Sequence, residues 1–350
     1  MSSRPGTAPH PGAAGSSEWS RRDLTGHRQP VSCVAWSANG KRLASGDEEG
    51  VVKIWHIDEP VPKDGRAERS QQDLQHASKD REVIVALAFN PRREELLAVV
   101  GSNTTKIYDL RSRSASVVLA APTPHACAAA WDGHDQLLVA QVRNAVVHLD
   151  AKRKRASKPH VLREGDEIVC IAFSEVGGKK EQQLLVGTKY GVEVWSWPGY
   201  EHLTTLAGGH ACHHARTSGV TALAVSSKDR FLASGGYDAS ICIWDLPSAT
   251  PLAAVYTPDD AVRAMSFSSD HCLLAYSSQS AEGQQGSVDV VAVQSGKLLH
   301  RIPLAHHSED VAFNPRWPKL LACVGDSGYG KDSKGRTLLE PRITLVSLGR

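Results

Sequence analysis

The chain has 350 residues, 40 Lys+Arg against 38 Asp+Glu for a net charge of +2, 41% hydrophobic and 22% charged residues. Ample apolar content at so small a net charge excludes a largely disordered chain and a globally basic nucleic-acid binder, while leaving room for a local basic patch. Apolar runs such as 83–89 fall far short of the roughly 18 residues a membrane-spanning helix needs, and seven cysteines without a C-x-x-C pair argue against a disulfide framework and for a reducing compartment.

In chain order, residues 1–17 are rich in Pro, Gly, Ala and Ser and read as a disordered tail. They hold no apolar segment of the kind a secretory signal carries. Residues 18–24 follow as a lone strand. The next apolar stretch ends at Trp36 and passes through a polar turn into Leu43 and Ala44. The same pattern returns with its apolar stretch ending at Phe89, Trp131, Phe173, Val225, Phe267 and Phe313. The spacings from residue 36 onward are 53, 42, 42, 52, 42 and 46. Short runs of Val, Ile, Leu and Ala bounded by Gly, Asn, Asp and Ser are strands and turns. A period of roughly 40–45 residues with added loops is that of four-stranded propeller blades. The expectation is therefore an all-β fold, a single seven-bladed propeller over 18–348. A ring of separate sheets must close or leave an unpaired edge, so 18–24 is expected to pair with the last blade.

Two copies carry the fuller WD-repeat signature. The first has Gly26 and His27, then Leu43-Ala-Ser-Gly46, then Trp55. The fifth has Gly209 and His210, then Leu232-Ala-Ser-Gly235, Asp238 and Trp244. A buried Trp indole N–H and a buried His ring need partners. A Ser hydroxyl and an Asp carboxylate at neighbouring turns supply them in one network. In the fifth copy this gives a structural tetrad of His210, Ser234, Asp238 and Trp244, with His213 and His214 as rivals for the His position. In the first copy Glu49 stands where Asp is usual, which weakens the expected network. The rival reading, a catalytic Ser-His-Asp site, lacks a nucleophile in a Gly-x-Ser-x-Gly turn. His210, Cys212, His213 and His214 form a metal-like cluster, but no second cluster of matching spacing completes a zinc site. No catalytic residue, metal ligand or cofactor is assigned.

The insertions are less generic. Residues 58–81 join the first two copies. Lys152, Arg153, Lys154 and Arg155, followed by Lys158 and Arg163, place six cations in twelve residues without an acid, between the third and fourth copies. A solvated loop, nuclear import and phosphate contact all fit that run. Residues 326–340 read as a Gly-, Lys- and Asp-containing loop inside the seventh copy.

The blades over 18–348 resemble the THO complex subunit 3 family, WD-repeat components of the THO/TREX machinery of nuclear mRNA export. The resemblance rests on Val31-Ser-Cys-Val-Ala-Trp36 with the turn that runs to Gly46, His148-Leu-Asp-Ala-Lys152, and Trp197-Pro-Gly-Tyr200. It rests further on Val262-Arg-Ala-Met-Ser-Phe-Ser268 and, most specifically, the segment from Val311 to Ala322 with the insert that follows it. The chain departs from the family at 58–81, 152–155 and 210–219. The resemblance implies a nuclear, non-enzymatic scaffold without a cofactor. Its partners would be other THO subunits and, through them, a DEAD-box RNA helicase and an mRNA export adaptor. RNA would be met mainly indirectly, and no membrane is involved. The alternative is another nuclear WD-repeat adaptor, a histone-tail reader or a ubiquitin-ligase substrate receptor.

Overall fold

The computed structural model describes residues 19–58, 72–76, 81–112, 114–133, 135–163, 167–175, 182–206, 219–227, 230–257, 261–278, 286–304, 308–331 and 337–349. The expected tail 1–17 and His210, His213 and His214 lie outside them. The described residues form seven antiparallel sheets, the blades of a propeller. Blade one holds β2 (Val31–Trp36), β3 (Arg42–Asp47), β4 (Val51–His56) and β5 (Gln72–Gln75). Blade two holds β6 (Ile84–Phe89), β7 (Leu96–Gly101), β8 (Thr104–Asp109) and β9 (Ser116–Pro122). Blade three holds β10 (Ala126–Trp131), β11 (Gln136–Gln141) and β12 (Ala145–Asp150), with an outer strand in two pieces, β13 (Arg155–Ala156) and β14 (His160–Val161). Blade four holds β15 (Ile168–Ser174), β16 (Gln182–Thr188), β17 (Gly191–Trp197) and β18 (His202–Leu206). Blade five holds β19 (Val220–Val225), β20 (Phe231–Gly236), β21 (Ser240–Asp245) and β22 (Thr250–Tyr256). Blade six holds β23 (Val262–Phe267), β24 (Leu273–Ser278), β25 (Ser287–Ala292) and β26 (Leu298–Pro303).

Blade seven is built from both ends of the chain. Its strands are β27 (Asp310–Phe313), β28 (Leu320–Lys331), β29 (Thr337–Ser347) and, at the outer edge, β1 (Ser20–Thr25). The register between β1 and β29 runs from Ser20 opposite Ser347 to Thr25 opposite Arg342. The first strand of each blade contacts its counterparts on both sides, and β2 touches β27, so the ring is closed.

The innermost strands end where the repeat pattern placed them, at Trp36, Phe89, Trp131, Val225, Phe267 and Phe313, with Phe173 one residue from the end of β15. Second strands such as β7 are buried along their whole length. They read as continuous apolar runs because a sheet covered on both faces has no solvent side. The core lies between blades. The layer between blades seven and one joins Leu24, Trp36, Leu43 and Trp55 to Leu320, Val324, Ile343 and Leu345. Gly46 and Gly235, the last residue of each Leu-Ala-Ser-Gly run, are required by close approach. A Cβ there would sit 2.6 Å from Ile84 and 2.5 Å from Val262, the residues that open the next blade.

Three expectations need correction. The segment 58–81 is not only a linker, since 72–75 is the outer strand of blade one. The cation run does not join blades. Residues 152–154 lie in the turn between β12 and β13, and Arg155 opens β13, so the run belongs to blade three. The insert 326–340 is not a plain loop. Beyond a register shift between Val324 and Asp326, β28 and β29 stay paired to Lys331 opposite Thr337, so the blade's own hydrogen-bond ladder continues as a hairpin.

Candidate functional site

Blade one carries a complete buried polar tetrad. His27 Nδ1 lies 2.8 Å from Asp47 Oδ2 and its Nε2 lies 2.7 Å from Ser45 Oγ, while Trp55 Nε1 donates to the same Oγ at 2.8 Å. Asp47 also accepts the backbone N–H groups of Glu49 and Val51 at 3.0 and 2.9 Å. Glu49, expected at the acidic position, instead accepts from Gln29 and pairs with Arg81 at 3.2 Å. Asp47 takes the position because it ends β3, where the backbone places its carboxylate beside the imidazole and the N–H groups of the following turn. In blade five Trp244 Nε1 donates to Ser234 Oγ at 2.9 Å. Asp238 accepts from Ser240 within its own turn. His210 lies outside the described residues.

Other blades place different residues at the equivalent level. In blade six the buried Asp289 accepts from both nitrogens of an Arg301 fork, at 2.9 and 2.7 Å, and from Tyr276 Oη at 3.1 Å. In blade four Trp195 Nε1 donates to Glu193. In blade two Glu82 accepts the N–H groups of Asn103 and Thr104 and the Thr104 hydroxyl. Burial alone would raise its pKa, but these bonds hold the carboxyl below its ordinary value. The blade-one and Glu82 clusters tie strands to turns, the Asp289 cluster ties three strands together, and the Trp195–Glu193 bond lies within β17. None sets a nucleophile beside a base at an open cleft.

The central channel is shaped by one recurring irregularity. In blades one to six the pairing of first and second strands shifts register across one residue. Those residues are Ser32, Val85, Cys127, Val169, Thr221 and Arg263. A bulge re-aims the residue it inserts, and all six line one cavity of about 400 Å³. Where that residue carries a donor, it bridges to the next blade. Ser32 Oγ donates to Ile84 O, Thr221 Oγ1 to Val262 O at 2.5 Å, and Cys127 Sγ to Ile168 O at 3.3 Å. Burial raises the Cys33 and Cys170 thiols well above their ordinary value and pushes Cys127 up to about 12. These thiols stay protonated, short of the reactive thiolate form, and those of Cys33 and Cys127 donate to carbonyls at Ile84 and Ile168. Among the described residues no group of three or more His, Cys, Asp or Glu side chains could hold a metal ion.

Asp310 sits in this channel at the seam between blades seven and one. Its Oδ2 accepts Val34 N–H at 2.9 Å and its Oδ1 accepts Val311 N–H at 2.8 Å. Burial pushes its pKa up to about 7 despite both bonds, and the charge of Glu309 adds to the rise. An unfolded Asp loses its proton near pH 4. Between about pH 4 and 7 the folded chain therefore binds the proton more than the unfolded chain, and the stability this group contributes falls as pH rises through that window. Chemical denaturation at pH 5 and pH 7.5 should show the native chain losing roughly 2 kcal/mol more than Asp310→Asn over that step. Parallel pH profiles for the two would remove Asp310 as the cause.

The outer edge of blade three differs from every other described edge. Residues 152–161 are all exposed. Arg153 reaches Asp150 at 3.8 Å and Arg163 reaches Glu193 of blade four at 3.5 Å. Lys152, Lys154, Arg155 and Lys158 take no ion pair among the described residues. Behind them lies a block of rings that spacing alone did not reveal. His160 stacks on Tyr200 at 4.4 Å. Tyr200 meets Trp197 edge-on at 5.5 Å, and Trp197 contacts His148 at 4.7 Å and Phe173 at 4.9 Å. Trp197 Nε1 donates to Asp132 of blade three at 3.3 Å. Burial, with the nearby His160, holds the His148 pKa below its ordinary value, so this ring joins the block as a neutral imidazole. The block fastens blade three to blade four beneath the cations.

The family model of the WD domain, G-beta repeat, matches residues 19–56 and 202–245. Each match begins in the outer strand of one blade and runs through three strands of the next. THO complex subunit 3 of Arabidopsis thaliana is 26% identical over 307 residues, covering 87% of this chain and 89% of that protein. WD repeat-containing protein AAC3 of Dictyostelium discoideum is 22% identical, covering 73% of this chain and 54% of that protein. Small ribosomal subunit protein RACK1 of Candida albicans is 27% identical, covering 36% of this chain and 38% of that protein. The chain is a seven-bladed β-propeller with WD repeats, and it is similar to THO complex subunit 3 along most of both lengths.

Proposed function

We propose that this chain is a non-enzymatic scaffold subunit of a THO-type complex. In that reading it works in the nucleus, where the complex couples transcription to the packaging and export of mRNA. Its direct partners are other THO subunits. A DEAD-box RNA helicase and an mRNA export adaptor are reached through them. The observation that carries the reading is the similarity to THO complex subunit 3, which spans 87% of this chain and 89% of that protein rather than a shared pair of repeats. The polar clusters support it, because they are engaged in holding strands and turns together. The rim cations Lys152, Arg153, Lys154 and Arg155 are held in a folded turn and strand of blade three. They act as a surface feature rather than as a free tail. The propeller itself extends over 18–348.

Near-neutral charge leaves little of the counterion release that drives sequence-independent RNA binding. Tagged protein recovered from nuclei should therefore keep other THO subunits after ribonuclease digestion at moderate salt, as buried protein interfaces do. Loss of every protein partner once RNA is digested would overturn the scaffold reading. Binding of a free histone-tail peptide by the purified chain would favour the adaptor alternative instead.

A further inference from the structure

We infer that the outer edge of blade three, from Lys152 to Arg163, is a docking surface for an acidic segment of a partner protein. The inference rests on the scaffold reading and names one surface through which it works. Three cations crowd the turn after β12, Arg155 opens β13, Lys158 follows at the break in the strand, and Arg163 stands beyond β14. From Arg155 to Arg163 the column is on the order of 25 Å long at about 3.3 Å per residue. Asp150 and Glu193 answer two of these charges at 3.8 and 3.5 Å.

Protection of a sheet edge does not account for so much charge. Lysine and proline on an edge strand do discourage stray pairing. Yet β5, β9, β18 and β22 are outer strands without a single Lys or Arg. The one cation of β26, Arg301, is committed to Asp289. In β1, Arg21 pairs with Asp23 and Arg22 is buried. Within β13 and β14 the strand count is likewise one, Arg155. What sets this edge apart is the turn before it and the residues around its break and end, which add five cations, whereas among the described residues the corresponding turns of blades two and six carry Arg111, paired with Asp109, and Lys297.

The sign of the rest of the molecule selects the occupant. Taking those six from the 40 Lys+Arg leaves 34 against 38 Asp+Glu, so the other residues sum to −4. An acidic partner is repelled elsewhere and steered to this edge. Recognition runs through side chains, because Pro159 lacks an N–H and the Ser157 hydroxyl already bonds His148 N and Lys158 O. Arginine forks match carboxylates two bonds at a time. Val161, 51% exposed within the column, offers an apolar contact that a protein segment fills and a phosphate backbone does not. Single-stranded nucleic acid would need a run of open ring faces. Here Tyr200 is covered by His160 and Trp197 is among the buried core, so of the rings in this block only His160 is exposed.

The test uses the full chain and fluorescence anisotropy at about 0.15 M salt. One probe is a labelled twelve-residue Glu-rich peptide with a single Leu, the other a labelled twelve-nucleotide oligouridine. The native chain should bind the peptide at micromolar concentration and the oligouridine more weakly. Reversing Lys152, Arg153, Lys154 and Arg155 to Glu should weaken peptide binding at least tenfold. Reversing Lys41, Arg92, Arg230 and Lys297, exposed cations on other blades, should not. Circular dichroism and the melting temperature of both variants verify folding. Absence of peptide binding, an equal loss in the control, or tighter binding of oligouridine each overturns the proposal. If peptide binding is absent while ribonuclease-resistant subunit association persists, the surface falls and the scaffold reading stands.

Discussion

Deletion of residues 1–24 should destabilise the propeller by about 3–5 kcal/mol and promote aggregation, whereas deletion of 1–15 should do neither. The shorter truncation leaves β1 intact. The longer one removes five of the six residues of that strand, and with them Leu24, which is 1% exposed in the core between blades seven and one. Burying one leucine is worth about 1.5–3 kcal/mol. The loss also strips the hydrogen-bond partner from 343–347 of β29 and turns it into an open edge. Leu24→Ala isolates the packing part and should cost about 2–4 kcal/mol, within the range for large-to-small core changes. Urea unfolding followed by tryptophan fluorescence measures all three. If the two truncations unfold at the same midpoint, β1 does not close the ring.

The second large effect is expected at Asp47. Replacement by Ala leaves His27 Nδ1 and the N–H groups of Glu49 and Val51 without their acceptor, in a site where Asp47 is 2% exposed. An unmet buried donor costs about 1–3 kcal/mol, so Asp47→Ala should lose roughly 3–5 kcal/mol. Glu49→Ala, which breaks only bonds at the surface, should stay near 0.5 kcal/mol. The comparison is sharp because the two residues are two positions apart and both acidic. Equal unfolding midpoints would mean that the tetrad does not hold blade one together.

That pair also shows where reading the sequence stops. The repeat was legible because the end of each innermost strand is dictated by burial: an apolar run, a bulky residue such as Trp36 or Phe267, then a polar turn. Trp244 with Ser234 was legible for a similar reason, since an indole buried beside a hydroxyl has one economical partner. Asp47 was not, because motif position favoured Glu49 and only the backbone path after β3 shows which carboxylate reaches the imidazole. The clusters around Asp289 and Glu82 were hidden because different residues meet the same need. Arg301 and Tyr276 come from separate strands, with no fixed spacing to mark them. The channel positions were hidden too. Strict alternation does not foretell a bulge, and it is the bulge that brings Cys127 and Arg263 into the same lining. The ring block at Trp197 and Tyr200 needed the contact between blades three and four to be seen. The cation run was visible as a string of letters, but its meaning changed once it lay along one blade's edge instead of between two blades.

The sharing of blade seven between β1 and β29 sets a schedule for biosynthesis. Ser20 leaves the ribosome 327 residues ahead of Ser347, its partner across the sheet. At about 5–20 residues per second, the first strand waits on the order of 16 to 65 s for the last. Throughout that interval the side of blade one that carries Trp36, Leu43 and Trp55 has no neighbour, since Leu320, Ile343 and Leu345 are not yet made. A nascent chain of this topology therefore holds a finished blade with an uncovered apolar flank for most of its own synthesis. The late-arriving strands determine when that flank is withdrawn from water, and so when the newborn chain stops presenting an apolar surface on which it could aggregate.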